Sequence, residues 1–120
     1  MKYLLMIYCD ESPEAQKNET EQEKEMGAYF AFTKDAEVAG VKREGEALHP
    51  SSTATTVRVC NGKITSTDGP FAETKEQLGG YYVVECQNLD EAIQWASKIP
   101  HASETAVEVR PIVDFGPMPT

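Results

Sequence analysis

The run Lys2 to Cys9 predicts a strand, and both faces of that strand are apolar. Tyr3, Leu5, Ile7 and Cys9 point one way, while Leu4, Met6 and Tyr8 point the other. A sheet covered by helices on one side only should carry polar residues on its other side. Two apolar faces therefore call for a second covering layer, and a second copy of the same chain supplies one. With 120 residues there is room for one domain, 1–120, with a real core and not for two.

The rest of the chain supplies the helical layer. Thr20-Glu21-Gln22-Glu23 fits a capping box, and the acidic residues around it suit the positive end of a helix. The helix is expected over about 20–39, with Met26, Tyr29, Phe30, Thr33 and Val38 as its apolar stripe and Gly40 as its stop. The acidic cluster Glu19–Glu25 is read as a solvated helix start in preference to a docking patch. Val41–Leu48 predicts a second strand, made ragged by Gly45 and broken by His49-Pro50. Thr55–Cys60 and Lys63–Thr67 flank Asn61-Gly62, a strong hairpin signal because both positions accept positive φ. Tyr81–Cys86 is the next strand, and Asn88 or Asp90 opens a second helix with Leu89, Ala92, Ile93 and Ala96 buried, ended by Pro100. Ala106–Val113 is the last strand. The order is β-α-β, an inserted hairpin, then β-α-β. That order is the ferredoxin-like split βαβ plan of the α+β class.

Charge narrows the partners. Twenty acidic residues against 11 basic ones leave a net charge of −9, which disfavours direct contact with nucleic acid and with anionic lipid. The apolar run at Leu4–Tyr8 is too short to span a membrane and lacks the flanks of a signal peptide. Cys9, Cys60 and Cys86 have no paired spacing. They read as small hydrophobes of a cytoplasmic protein, without a disulfide and without metal-ligand spacing. No nucleotide-binding loop or other cofactor signature is visible.

Between the hairpin and the Tyr81 strand lies Asp68-Gly69-Pro70-Phe71-Ala72-Glu73-Thr74-Lys75-Glu76, followed shortly by Gly79-Gly80. With Thr53–Arg58, Leu89-Asp90-Glu91-Ala92, Trp95-Ala96 and Val109-Arg110-Pro111, this stretch resembles the YCII-related superfamily, in the branch named for its DGPF motif. The likeness runs over nearly the whole chain. It implies a ferredoxin-like fold paired as a dimeric α+β barrel, and an association with extracytoplasmic-function sigma factors. The wider superfamily resembles small isomerase-type barrels, and its other branch has a suspected catalytic His–Asp pair. No histidine lies in the first helix here, so that pair does not carry over.

The residues give six site candidates. Asp68 is either a general base or an Asx cap that lets Phe71 tuck into the core, and the cap is the commoner use of such an aspartate. Glu73 and Lys75 belong to a charged cluster with Glu76 that suits acid–base work or simple solvation. His49, near the expected barrel mouth, is a candidate acid–base group, and a His-Pro step is more often a solvated turn. Arg58 and Arg110 lie opposite the valines of their strands, where they would hold a ligand carboxylate or make interface ion pairs. His101 ranks below all of these. Two functions follow: cofactor-free acid–base chemistry on a small organic acid or lactone-like molecule, or a non-catalytic regulatory or ligand-binding module beside a sigma factor.

Overall fold

The computed structural model describes residues 1–119. Six strands and two α-helices follow in the order β1 (Lys2–Asp10), α1 (Glu19–Val38), β2 (Lys42–Ala47), β3 (Thr55–Cys60), β4 (Lys63–Asp68), β5 (Glu76–Glu85), α2 (Leu89–Ser97) and β6 (Ala106–Pro111). Four strands form an antiparallel sheet ordered β2-β5-β1-β6, and β3 and β4 form a separate two-stranded ribbon. Two helices on an antiparallel sheet in this order make an α+β architecture compatible with the ferredoxin-like plan.

The core lies between the sheet and its helices. Tyr3, Leu5 and Ile7 from β1 meet Tyr82 and Val84 from β5, Phe32 and Ala36 from α1, and Ala92, Ala96 and Ile99 from the α2 side. Leu5, Val84 and Ile99 are essentially sealed from solvent. Small alanines on α2 let the helix approach closely, while Phe32 packs against the rings of Tyr82 and Trp95 at 5.0 and 6.1 Å. On the sheet's opposite face, Leu4, Met6, Tyr8 and Tyr81 are half-buried. Arg110 and Glu108 share that face, paired at 2.5 Å.

Several local features depart from the sequence reading. The capping box sits two residues earlier: Asn18 Oδ1 accepts from the Glu21 amide at 2.8 Å, and Glu21 Oε1 accepts from the Asn18 amide at 3.1 Å. Asparagine is the better N-cap, and the same x-x-Glu spacing serves it. The buried stripe of α1 is Tyr29, Phe32, Thr33 and Ala36, so Met26, Phe30 and Val38 point outward. On α2, Leu89 and Ile93 are exposed, and the alanines with Ile99 carry the burial. The motif's second half is strand rather than loop, because β5 starts at Glu76 and pairs with β1 through a bulge at Gly79. Gly79 has no partner across to β1; its carbonyl accepts from the Leu48 amide at 2.9 Å. The last strand stops at Pro111, two residues before the expected Val113.

Asn61 and Gly62 take φ of 53° and 76°, the pair of positive values that a two-residue hairpin turn requires. Cross-strand register puts Val57, Val59 and Ile64 on one face of the ribbon, and Arg58, Cys60 and Lys63 on the other. Among the described residues neither face is covered by the body: all of β4 is exposed, and Cys60 is exposed rather than used as a core hydrophobe. Phe71 is 76% exposed, lying under the Arg58 guanidinium at 5.1 Å, so it does not tuck into the core.

Candidate functional site

A cavity of about 610 Å³ opens between α1 and the strands β1, β2 and β5. Its existence follows from small residues. A Cβ on Gly45 would lie 2.5 Å from the Tyr82 ring, one on Gly79 would lie 2.5 Å from Cys9 Sγ, and one on Gly80 would lie 3.0 Å from the Glu46 carbonyl oxygen. Ordinary side chains at these positions would fill or distort the floor. Ile7, Cys9 and Tyr82 complete that floor, and Tyr29 and Thr33 hang over it from α1. Thr33 Oγ1 and the Tyr82 hydroxyl are hydrogen-bonded at 2.8 Å, which uses one of their two hydroxyl hydrogens. Met26 and Phe30 form the outer lip, 59% and 67% exposed.

One end of the cavity is polar. Pro100 ends the α2 segment and starts a short turn over Pro100–Ala102, which carries His101 inward. The imidazole's Nδ1 lies 2.5 Å from the Tyr29 hydroxyl oxygen. Its Nε2 faces Glu25 Oε1 at 3.5 Å and Glu104 Oε2 at 3.8 Å. Carboxylates on the Nε2 side favour the proton on that nitrogen, which leaves Nδ1 to accept from Tyr29. Burial, then the neighbouring Cys9 and Glu25, pushes the Tyr29 phenol far above its ordinary range, consistent with a hydroxyl that stays protonated.

Lys17 binds this end together. Its ammonium donates to Glu25 and, at 2.8–2.9 Å, to both oxygens of Glu104. Partial burial alone would lower the Lys17 pKa; the bonds to Glu104 and Glu25 outweigh it and raise the value. The same bond from Lys17 lowers the carboxyl of Glu104. Glu25, His101 and Glu104 offer ligand atoms within 4.8 Å of one another, a spacing that suits a cation. Lys17 already stands between the two carboxylates as their counter-ion, so these residues form an ion-paired cluster. Cys9 beside it is a thiol rather than a thiolate, since burial and then Glu25 raise its pKa.

The six residues singled out in the sequence lie elsewhere. Asp68 ends β4 opposite Thr55 and is exposed, and it makes no side-chain hydrogen bond among the described residues; the Asx cap is therefore not formed. The turn is held instead by the Gly69 amide on the Ala54 carbonyl at 2.7 Å, with Gly69 at φ 101°. Glu73, Lys75 and His49 are exposed. Arg58 covers Phe71 on the ribbon, and Arg110 pairs with Glu108 on the open sheet face. The structure brings none of the six to the cavity. The groups that do line it, Glu25, Tyr29 and His101, and Lys17 and Glu104 that contact them, come from segments up to 87 residues apart. Only the Pro-His step after a helix end marks any of them in sequence.

The family model of the YCII-related domain matches residues 1–116. An uncharacterised protein of Rhizobium meliloti (strain 1021) is 36% identical over 119 residues, covering 98% of this chain and 96% of that protein. No helix among the described residues is long and apolar enough to cross a membrane.

Proposed function

This chain belongs to the YCII-related domain family, and from that premise we propose that it binds a small carbonyl compound in the α1–sheet cavity and moves a proton to or from it through Tyr29 and His101. The observation that carries the reading is the 2.5 Å Tyr29–His101 bond in the wall of a cavity of about 610 Å³. A ligand proton passes to the Tyr29 oxygen as the phenolic hydrogen moves to His101 Nδ1. The imidazolium that results faces Glu25 and Glu104. The spare hydroxyl hydrogen of the Thr33–Tyr82 pair is available to a carbonyl oxygen on which negative charge develops. Two lining carboxylates, Glu25 and Glu46, stand against one lining ammonium, Lys42, which pairs with Glu37 at 3.6 Å. That balance favours a neutral lactone- or ester-like molecule over its free acid.

The test is exchange of the α-hydrogens of small lactones into deuterated water, followed by NMR. The wild type should accelerate exchange, and Tyr29→Phe, with an unchanged circular dichroism spectrum, should lose most of it. Equal rates with Phe at that position would remove the proton relay. A family-level reading as the DGPF branch, in a sheet-to-sheet dimer, is supported by the motif and by the half-buried open face bearing Leu4, Met6, Tyr8 and Tyr81. In such a dimer the exposed Asp68, Glu73 and His49 as acid–base groups, and Arg58, Lys75 and Arg110 as anchors, would act only where a second copy enclosed them.

A further inference from the structure

The β3–β4 ribbon is folded as if it had a neighbour. Two strands alone are marginal in water, and this pair presents Val57, Val59 and Ile64 to solvent on one face, Val59 at 67% and Ile64 at 73% exposure. Six residues per strand give an arm about 20 Å long. Elsewhere on the molecule a second apolar surface stands uncovered: Met26 and Phe30, one helical turn apart on α1 at the lip of the cavity.

Charge says which molecule brings the two together. Residues 55–67 hold Arg58 and Lys63 and no carboxylate; the remainder of the chain holds nine basic residues and all twenty acidic ones. The ribbon is a cationic arm on an anionic body, and α1 is among the most acidic parts of that body, with Glu19, Glu21, Glu23 and Glu25 in its first two turns. An acidic α1 attracts a basic arm from another copy.

We propose that the arm of one copy lies across α1 of a second copy, with Val57, Val59 and Ile64 against Met26 and Phe30, and so roofs the partner's cavity. The inference rests on the pairing of two copies stated above, and it adds that each cavity is completed by the partner's ribbon. Closing the mouth would exclude water from the Tyr29–His101 end, where proton transfer benefits from a dry site.

Two introduced cysteines test this. Val59→Cys and Phe30→Cys are each made in a Cys60→Ser background, purified separately, mixed, and oxidised; sedimentation of the unoxidised mixture reports the pairing itself. The expected result is a disulfide-linked dimer that forms in the mixture at least tenfold faster than in either protein alone. A dimer by sedimentation with no mixture-specific disulfide overturns the arm and leaves the sheet-face pairing standing. A monomer at micromolar concentration overturns both. Cross-linking of the Val59→Cys protein to itself at the same rate as in the mixture places arm against arm and also rejects the proposal. A Val59→Glu, Ile64→Glu variant supplies an independent reading: stabilisation by the small lactones should fall while the melting temperature without them stays within a few degrees, and unchanged stabilisation by the lactones overturns the roof.

Discussion

Gly45 illustrates how a single missing side chain shapes this protein. In sequence it reads as a flaw in the second strand; in the structure it yields its space to the Tyr82 ring, whose carbon would lie 2.5 Å from any Cβ there. Gly45→Ala should cost about 1–3 kcal/mol, as overpacking does, and should move the Tyr82 hydroxyl off Thr33. Chemical denaturation measures the first effect, and loss of ligand stabilisation the second. At the polar end, Lys17 and Glu104 predict a pH dependence. The folded-state pKa of Glu104 lies below its ordinary 4.5, so its contribution to stability is present above that value and fades as pH falls through the lowered one. Lys17 is raised above 10.5, so its share is complete below that value and is lost as pH rises through the raised one. Lys17→Met should therefore flatten both limbs of the stability–pH curve, read from melting temperatures between about pH 3 and 11. None of this pairing is legible in sequence. Lys17 and Glu104 are 87 residues apart, and no local spacing announces a contact that the turn after α2 creates.

At the scale of elements, much more is readable, because caps, turns and alternation act within a few residues. Asn61-Gly62 forms the hairpin turn with both φ values positive. Gly62→Val should destabilise the ribbon by about 1–2 kcal/mol and raise amide exchange across β3 and β4, with little change in β1 or β5. Asn88 caps α2 by accepting from the Glu91 amide at 2.9 Å. Pattern alone misplaces the start of α1 for an instructive reason: Asn18 and Thr20 each have a glutamate three residues on, and spacing does not choose between them. Intrinsic cap preference does, and Asn18→Ala should cost about 1 kcal/mol where Thr20→Ala costs little. The helix stripe is hard to read because α1 carries apolar residues on two sides. One side packs on the sheet; the other, Met26 and Phe30, forms the cavity lip. The bulge at Gly79 hides for the opposite reason: a glycine pair ahead of a strand resembles a loop, whereas here it lies within the strand.

At the scale of the whole molecule, the sheet has one covered face and one open face, and it also has two edges. β2, at one edge, reads Lys42-Arg43-Glu44-Gly45-Glu46, with charge at four of five positions, and β6, at the other, ends in Pro111. Charged and proline-terminated edges resist the addition of further strands. In the proposed dimer these edges would confine self-association to the sheet face and the ribbon. At the four-stranded sheet a further copy would find no favourable strand edge on which to continue. If the proposed dimer forms, raising the concentration about a hundredfold should leave its sedimentation coefficient unchanged and produce no thioflavin-binding fibre. Replacing Arg43 and Glu44 together by valine should remove that protection, leaving an edge on which further strands can add and chains can polymerise.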